Sequence, residues 1–372
     1  MESATLSTRL APSGARPPAP GKCLVLELWH IGDATMMTPV LEGLLAEGWQ
    51  VTVAGKATTR LLLEEDYPEV RWIVFDAPWT VFYGKYRLWR WPWRELWRVW
   101  STMRRERFDV AVSGRSDPRD HLMMWLAGIR RRIGFQTRYS LWFLNEPLPP
   151  PPAARHRVED WWTIQQQVSP AAPTLPPRLG ADAELKGRFG ELFARDPRPV
   201  LALHCGARIA VRRWPEPYLR ELIAALRAEF DFQLVLYPDV DGYGQYLAAL
   251  ADHVLTGLTL GELKASLIHA RLLIANDSGL GHVAAALGVP VATIFGTGEP
   301  SKFRPFSQES LVIMRDICPY RPCLDYCHFP EAYCLTQLSP AIVLRELRAH
   351  LQAHPLFPSR RETSLGIAPP GR

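Results

Sequence analysis

Short, nearly continuous apolar runs recur along this chain at 22–28, 50–54, 71–75, 108–113 and 131–134, and again at 199–204, 232–237, 271–275, 289–295 and 310–314, with helical patterns between them. Strands that are apolar on both faces belong to parallel sheets covered by helices on both sides. The pattern therefore predicts an α/β fold of two Rossmann-like halves. A proline-rich stretch from Pro147 to Pro177 holds one helical segment, near 156–168, and separates the halves. It places the boundary at about residue 178, with one domain over 22–177 and a second over 178–354. A helix around 339–353 is the expected closing element. Residues 1–21 and 355–372 read as disordered tails, and there is no internal repeat.

The strongest chemical signal lies in 271–290. The run Arg271-Leu-Leu-Ile-Ala275 ends in Asn276-Asp277-Ser278-Gly279, which opens into a helix of small residues with His282 one turn in. A helix start aims free N–H groups and about half a positive charge at one point, which suits a phosphate or diphosphate. Asp277 or Ser278 can cap this helix, and an ordinary capped helix without a ligand is the competing reading. The first strand ends similarly, in Trp29-His30-Ile31-Gly32-Asp33. That turn has one glycine where the dinucleotide fingerprint needs three, so a nicotinamide oxidoreductase is poorly supported. Asp33 sits at the carboxyl end of a parallel strand, where ligands gather, and reads either as a helix cap or as a site carboxylate.

Five segments in order carry a resemblance. They are Leu24-Val-Leu-Glu-Leu-Trp-His-Ile-Gly-Asp33 with Met37-Thr38-Pro39, then His204-Cys-Gly206, then Arg212-Arg-Trp-Pro215. The run Asp-Ser-Gly-x-x-His-x-Ala-Ala-x-x-Gly-x-Pro from Asp277 follows, and Phe295-Gly296 with Glu299-Pro300 completes the set. Together they resemble glycosyltransferase family 9, the heptosyltransferases of lipopolysaccharide core assembly. The resemblance implies the glycosyltransferase B (GT-B) architecture, two lobes facing a cleft, with acceptor bound mainly by the first and donor by the second. It implies inverting transfer from a nucleotide-sugar such as ADP-heptose to a glycan or glycolipid, with no metal or other cofactor in the chemistry. Asp33 then corresponds to the base that deprotonates the acceptor hydroxyl. The donor site corresponds to Gly206, Arg212, Arg213, Asp241, Asn276, Asp277, Ser278, Gly279 and His282. Arg212 stands where the family usually has lysine, with Arg213 as the alternative, and Asp241 is preferred over Asp239 for the ribose. A transferase for another sugar and a non-catalytic binder of sugar-nucleotides or glycans are the remaining readings.

Composition adds location and partners. A chain of 372 residues with 47% hydrophobic content supports two cores, and a net charge of +5 permits an acidic partner. No apolar stretch reaches the roughly 18–20 residues that span a bilayer, and the expected location is cytoplasmic, soluble or held loosely at the inner membrane face. Residues 79–107 contain tryptophans at 79, 89, 91, 93, 97 and 100, together with Lys85, Arg87, Arg90, Arg94, Arg98, Arg104, Arg105 and Arg107. Helical spacing explains part of this as core packing. The surplus suits an anionic glycolipid or membrane surface, with Arg87, Arg90 and Arg94 as acceptor-binding candidates. No RNA-binding signature accompanies it, so nucleic acid is not an expected partner. Cys318, Cys323, Cys327 and Cys334 crowd together without zinc-ribbon spacing. A structural zinc site, disulfides and free thiols are all open readings.

Overall fold

The computed structural model describes residues 21–81 and 85–360. The first lobe holds β1 (Lys22–Glu27), β2 (Gln50–Gly55), β3 (Arg71–Val74), β4 (Val110–Ser113), β5 (Arg131–Phe135) and β6 (Glu146–Leu148). They form one parallel sheet in the order β3-β2-β1-β4-β5-β6. The second lobe holds β7 (Val200–His204), β8 (Gln233–Tyr237), β9 (His253–Val254), β10 (Ala270–Asn276), β11 (Val291–Ile294) and β12 (Leu311–Ile313). Its order, β12-β11-β10-β7-β8-β9, repeats the winding of the first. Every apolar run read from the sequence became a strand. The two strands that were not anticipated, β6 and β9, are short edges. Pro147 lies within β6, and a residue without an N–H is tolerated at an edge where an inner strand would lose a ladder bond.

Helices α1 (Ile31–Ala46), α2 (Ala57–Leu63), α3 (Trp93–Glu106), α4 (Pro118–Leu126) and α5 (Arg157–Val168) pack in the first lobe. The second carries α6 (Ala183–Phe193), α7 (Glu216–Glu229), α8 (Leu260–Leu267), α9 (Gly279–Ala286), α10 (Pro300–Phe303), α11 (Tyr333–Thr336) and α12 (Pro340–Ala353). One buried apolar cluster runs through both lobes, from Val25, Val112 and Trp161 to Val200, Leu273 and Val283. The chain crosses between lobes at 178–180. Arg178 N–H bonds Thr38 Oγ1 at 3.2 Å, Leu179 N–H bonds the Ala286 carbonyl at 3.0 Å, and Gly180 N–H bonds Asp66 Oδ1 at 2.9 Å. Among the described residues no helix is long and apolar enough to cross a membrane.

The segment after α12 departs from expectation. Phe357 is buried in the second-lobe core, Asp231 N–H bonds the Pro358 carbonyl at 3.0 Å, and Ser359 bridges Phe230. Residues 355–360 are therefore packed and not a loose tail, because Phe357 has an apolar slot to fill against Phe232. The remaining tail residues, 1–20 and 361–372, lie outside the described residues.

Lys264 of α8 fastens the lobes. Its ammonium is fully buried, donating to Asp66 Oδ2 at 2.8 Å and to the Leu62 carbonyl at 3.1 Å. Removing one partner of a buried pair strands the other charge, at about 3–5 kcal/mol. Asp66→Ala leaves Lys264 the Glu65 carboxylate at 3.5 Å, so it should lower stability by up to about that amount in urea titration, and a loss below about 1 kcal/mol would show that the pair is not holding the lobes.

Candidate active site

In each sheet the winding reverses between the first strand and the fourth, at β1/β4 and at β7/β10. Ligands of doubly wound sheets bind beyond the carboxyl ends of strands at such switch points. Here the two switch points meet. A Cβ on Gly32 would stand 2.9 Å from His282 Cδ2 and 3.3 Å from Gly279 Cα, and one on Gly279 would stand 2.6 Å from Ile31 Cγ1. The start of α1 and the start of α9 thus approach so closely that a side chain at either glycine would displace a neighbour. Arg208, beyond β7, reaches across to the first lobe and donates to His30 Nε2 at 2.7 Å. That bond requires neutral His30, and burial, aided by the Arg208 charge, lowers its pKa to about 4.

On the first lobe, α1 begins at Ile31 with His30 at the cap position, so Asp33 is the third helical residue and not a cap. Its Oδ1 is buried with no hydrogen-bond partner among the described residues. Burial raises the Asp33 carboxyl to about 6, against the opposing pull of Arg157 and Arg115. Beside it, Glu27 ends β1 fully buried. Its Oε1 accepts from the Trp29 N–H at 2.9 Å, while Oε2 has no partner among the described residues. Burial, and then the neighbouring Asp33 charge, push Glu27 to about 7. Arg115, after β4, pairs with Asp117 at 3.0 Å and Asp120 at 3.5 Å, and Arg157 donates to the Gly114 carbonyl. Their guanidinium carbons lie 5.2 and 5.1 Å from the Trp29 ring, within cation–π range. Nε of both arginines and Nη2 of Arg157 are buried and unpartnered among the described residues. Unused donors and acceptors gathered around Asp33 are what a polyhydroxyl or anionic ligand would complete.

None of Glu27, Trp29, Arg115, Arg157 and Arg208 stood among the sequence candidates. Glu27 did carry a signal, as the single charge inside the apolar run Leu24-Val-Leu-Glu-Leu28. The arginines come from distant loops, and only the winding of the sheet brings them to Asp33.

On the second lobe the expected residues assemble, with divided roles. Ser278, not Asp277, is the cap residue of α9; it makes no side-chain cap bond, and its Oγ is buried without a partner among the described residues. The Asp277 N–H is taken by the Ile294 carbonyl at 3.1 Å, and its carboxylate pairs with Arg212 Nη1 at 3.2 Å. Arg212 also donates to Asp325 at 2.8 Å, so Asp277 and Asp325 hold it at the helix start. Asn276 accepts from Trp214 N–H at 3.2 Å and donates to the Cys205 carbonyl, tying the two switch-point loops together. Gly206 packs on Asp239 so tightly that an added Cβ would stand 2.4 Å from Oδ2. Arg213 is held by Asp239 at 3.0 Å, Asp241 at 2.7 Å and the Ala207 carbonyl at 2.8 Å, which commits it to the loop. The Tyr243 N–H and then Arg213 keep the Asp241 carboxyl low. His282 is buried, and that burial lowers its pKa to about 3. It therefore offers this site a neutral N–H or a lone pair, not the positive charge of an imidazolium.

The remaining candidates lie elsewhere. Arg87, Arg90 and Arg94 are exposed on α3 and the turn before it, outside the Asp33 cluster. Cys318, Cys323, Cys327 and Cys334 are free thiols, with Cys334 buried in the second-lobe core. Among the described residues no three His, Cys, Asp or Glu side chains are grouped to hold a metal. Burial raises the Cys334 thiol, and the charges of Cys323, Cys327 and Cys318 add to that rise, so the four sulfurs are near neighbours.

Comparison with known proteins agrees with this geometry. Glycosyltransferase family 9 (heptosyltransferase) matches residues 96–332, well over half of the chain. Lipopolysaccharide heptosyltransferase 2 of Escherichia coli K12 is 28% identical over 361 residues, covering 89% of this chain and 98% of its own. Among solved structures, E. coli ADP-heptose lps heptosyltransferase II superposes with a TM-score of 0.68 at 24% identity, over 90% of this chain and 99% of its own. E. coli heptosyltransferase WaaC, solved with ADP-2-deoxy-2-fluoro heptose, gives 0.64 at 19% identity, over 88% and 99%. With two doubly wound lobes meeting at their switch points, this chain belongs to glycosyltransferase family 9 and is a GT-B glycosyltransferase.

Proposed function

We propose that this chain moves a heptose from ADP-heptose to a lipopolysaccharide-type glycolipid, with inversion at the anomeric carbon. The observation supporting this reading is that Asp33, whose Oδ1 is buried and unpartnered among the described residues, directly follows Gly32, which meets the start of α9. In the proposed step the acceptor hydroxyl gives its proton to Asp33 and its oxygen bonds the anomeric carbon. The bond from that carbon to the diphosphate breaks on the opposite face, and ADP leaves with the electron pair. Negative charge grows on the leaving diphosphate, where the α9 dipole, the His282 ring and Arg212 stand ready to stabilise it. Ser278 and Gly279 would face the diphosphate, Gly206 lets the backbone come close, and Asp241 at the rim would take the ribose. Asn276, Asp277 and Arg213 would position these groups. Arg115, Arg157, Arg87, Arg90 and Arg94 would face the acceptor. The cytoplasmic side of a membrane is the corresponding location, since both a nucleotide-sugar and a lipid-linked glycan are available there.

Screening nucleotide-sugars by thermal shift tests the donor. A ligand at about 100 times its Kd stabilises by about 2.7 kcal/mol, so ADP-heptose should raise the melting temperature above that seen with UDP- or GDP-sugars. A preferred donor of another kind would reassign the sugar. Stabilisation by a donor with neither transfer nor hydrolysis would favour a non-catalytic binder.

Two further results follow. Because Arg212 and the α9 start supply the positive field, excess chelator should leave the rate unchanged; strict magnesium dependence would overturn the scheme. The pH profile is the second. Only ionised Asp33 can accept a proton, and burial raises its carboxyl to about 6. Turnover should therefore fall about tenfold per pH unit below that value and be flat above it. Arg157 pulls the carboxyl downward, so Arg157→Gln should move the acid limb of kcat/KM to higher pH. An unmoved limb would show that another group is titrating.

A further inference from the structure

We infer that the outer edge of the first lobe, built on α3, is a docking face for an anionic phospholipid surface. Helix α3 buries Leu96, Val99 and Met103 and turns Trp93 and Trp97 outward. Trp97 is 66% exposed, and Trp89 in the turn before α3 and Trp142 between β5 and β6 are 78% and 83% exposed. Large rings left in water to this extent, together, mark an interaction surface and not a core. Further rings and a cation line this edge of the lobe. Trp97 packs at a tilt on Trp100 at 4.5 Å, Arg104 lies over Trp100 at 5.9 Å and donates to the Leu126 carbonyl at 3.2 Å, and Trp125 packs on Phe143 at 6.0 Å.

Charge selects the occupant. Arg87, Arg90 and Arg94 are exposed and have no carboxylate partner among the described residues. The two acids of α3 are already paired, Glu95 with Arg98 at 3.8 Å and Glu106 with Lys22 at 3.0 Å. Cations without counter-charges, interleaved with amphipathic rings, match a surface that carries anions above an apolar layer. Tryptophan settles at the headgroup level of such a surface while arginine keeps its charge among the phosphates. A nucleic-acid strand would offer the charge, but a convex helix gives it no groove to follow.

The face connects to the cleft through side chains in contact. Trp93 packs on Trp91 at 5.5 Å, Trp91 on Trp79 at 5.5 Å, and Trp79 Nε1 donates to Asp120 at 2.7 Å. Asp120 pairs with Arg115, which stands over Trp29 in the base loop. Docking would therefore bring the acceptor side of the cleft to the bilayer, a consequence that rests on the glycolipid reading above; the binding itself does not.

Sedimentation of the full chain with phosphatidylcholine vesicles, with and without phosphatidylglycerol, tests the inference in the absence of donor and acceptor. The chain should sediment with the anionic vesicles and stay in solution with the neutral ones. Each cation near such a surface is worth about fivefold in partitioning, so joint replacement of Arg87, Arg90 and Arg94 by Gln should weaken it on the order of 100-fold. Joint replacement of Trp89, Trp97 and Trp142 by Ser should also weaken it, while leaving the melting temperature and turnover of a water-soluble acceptor unchanged. No sedimentation with anionic vesicles, or sedimentation that the tryptophan variant retains in full, overturns the inference. Normal vesicle binding without sugar transfer would sink the transferase reading alone.

Discussion

Asp33→Asn lowers kcat by about 10²–10⁴-fold and leaves donor affinity unchanged, if Asp33 is the base. The substitution keeps the shape of the side chain and the first turn of α1, so the packing around Gly32 is preserved. It removes the proton acceptor. Asp33 lies on the lobe opposite α9, so nothing in the donor's grip on the second lobe depends on its charge. Single-turnover transfer beside calorimetric titration of the donor separates the two effects. A variant that keeps more than about a tenth of the wild-type rate would point to Glu27, whose Oε2 is also buried and unpartnered among the described residues.

Gly279→Val should cost about 10²-fold in kcat/KM, the penalty of misplacing reacting groups by about an ångström. At Gly279 even a Cβ meets Ile31 Cγ1 at 2.6 Å and the Gly32 amide nitrogen at 3.3 Å. The Ile31 side chain can turn aside for a methyl. It cannot do so for an isopropyl group with the Gly32 backbone behind it, so the two helix starts must separate. Gly187→Ala is the matching control. Gly187 lies in α6 with open space beside it, and the change should raise stability by about 0.5–1 kcal/mol without touching turnover. Equal activity of Gly279→Val and wild type would show that the lobes need not close to this distance for transfer.

The strands were legible because burial on both faces leaves a continuous apolar run, and the long runs of both sheets announce themselves in that way. The short edges β6 and β9 lacked the length for any pattern. Phe357 was hidden by a proline-rich surrounding that resembles a tail. At the site, Asp33, Gly279 and His282 stood in local motifs, since a strand end, a turn and a helix start lie within a few residues of one another. Of the two caps offered for α9 the structure takes Ser278, and the cap reading of Asp33 gives way to a place inside α1, because local composition does not fix the residue at which a helix starts.

The sequence by itself determined two Rossmann-like lobes, the loops after their first strands and the carboxylate and helix start proposed to bear the chemistry, because each is specified by neighbours along the chain. Only the tertiary structure decided what surrounds them. It set Glu27, Arg115 and Arg157 around Asp33, committed Arg213 to a loop network, left His282 neutral, and brought Gly32 against Gly279. These relations depend on burial and on charges carried by segments more than a hundred residues apart in several cases. Electrostatic energy follows distance in space and the loss of water, and neither is written in local sequence.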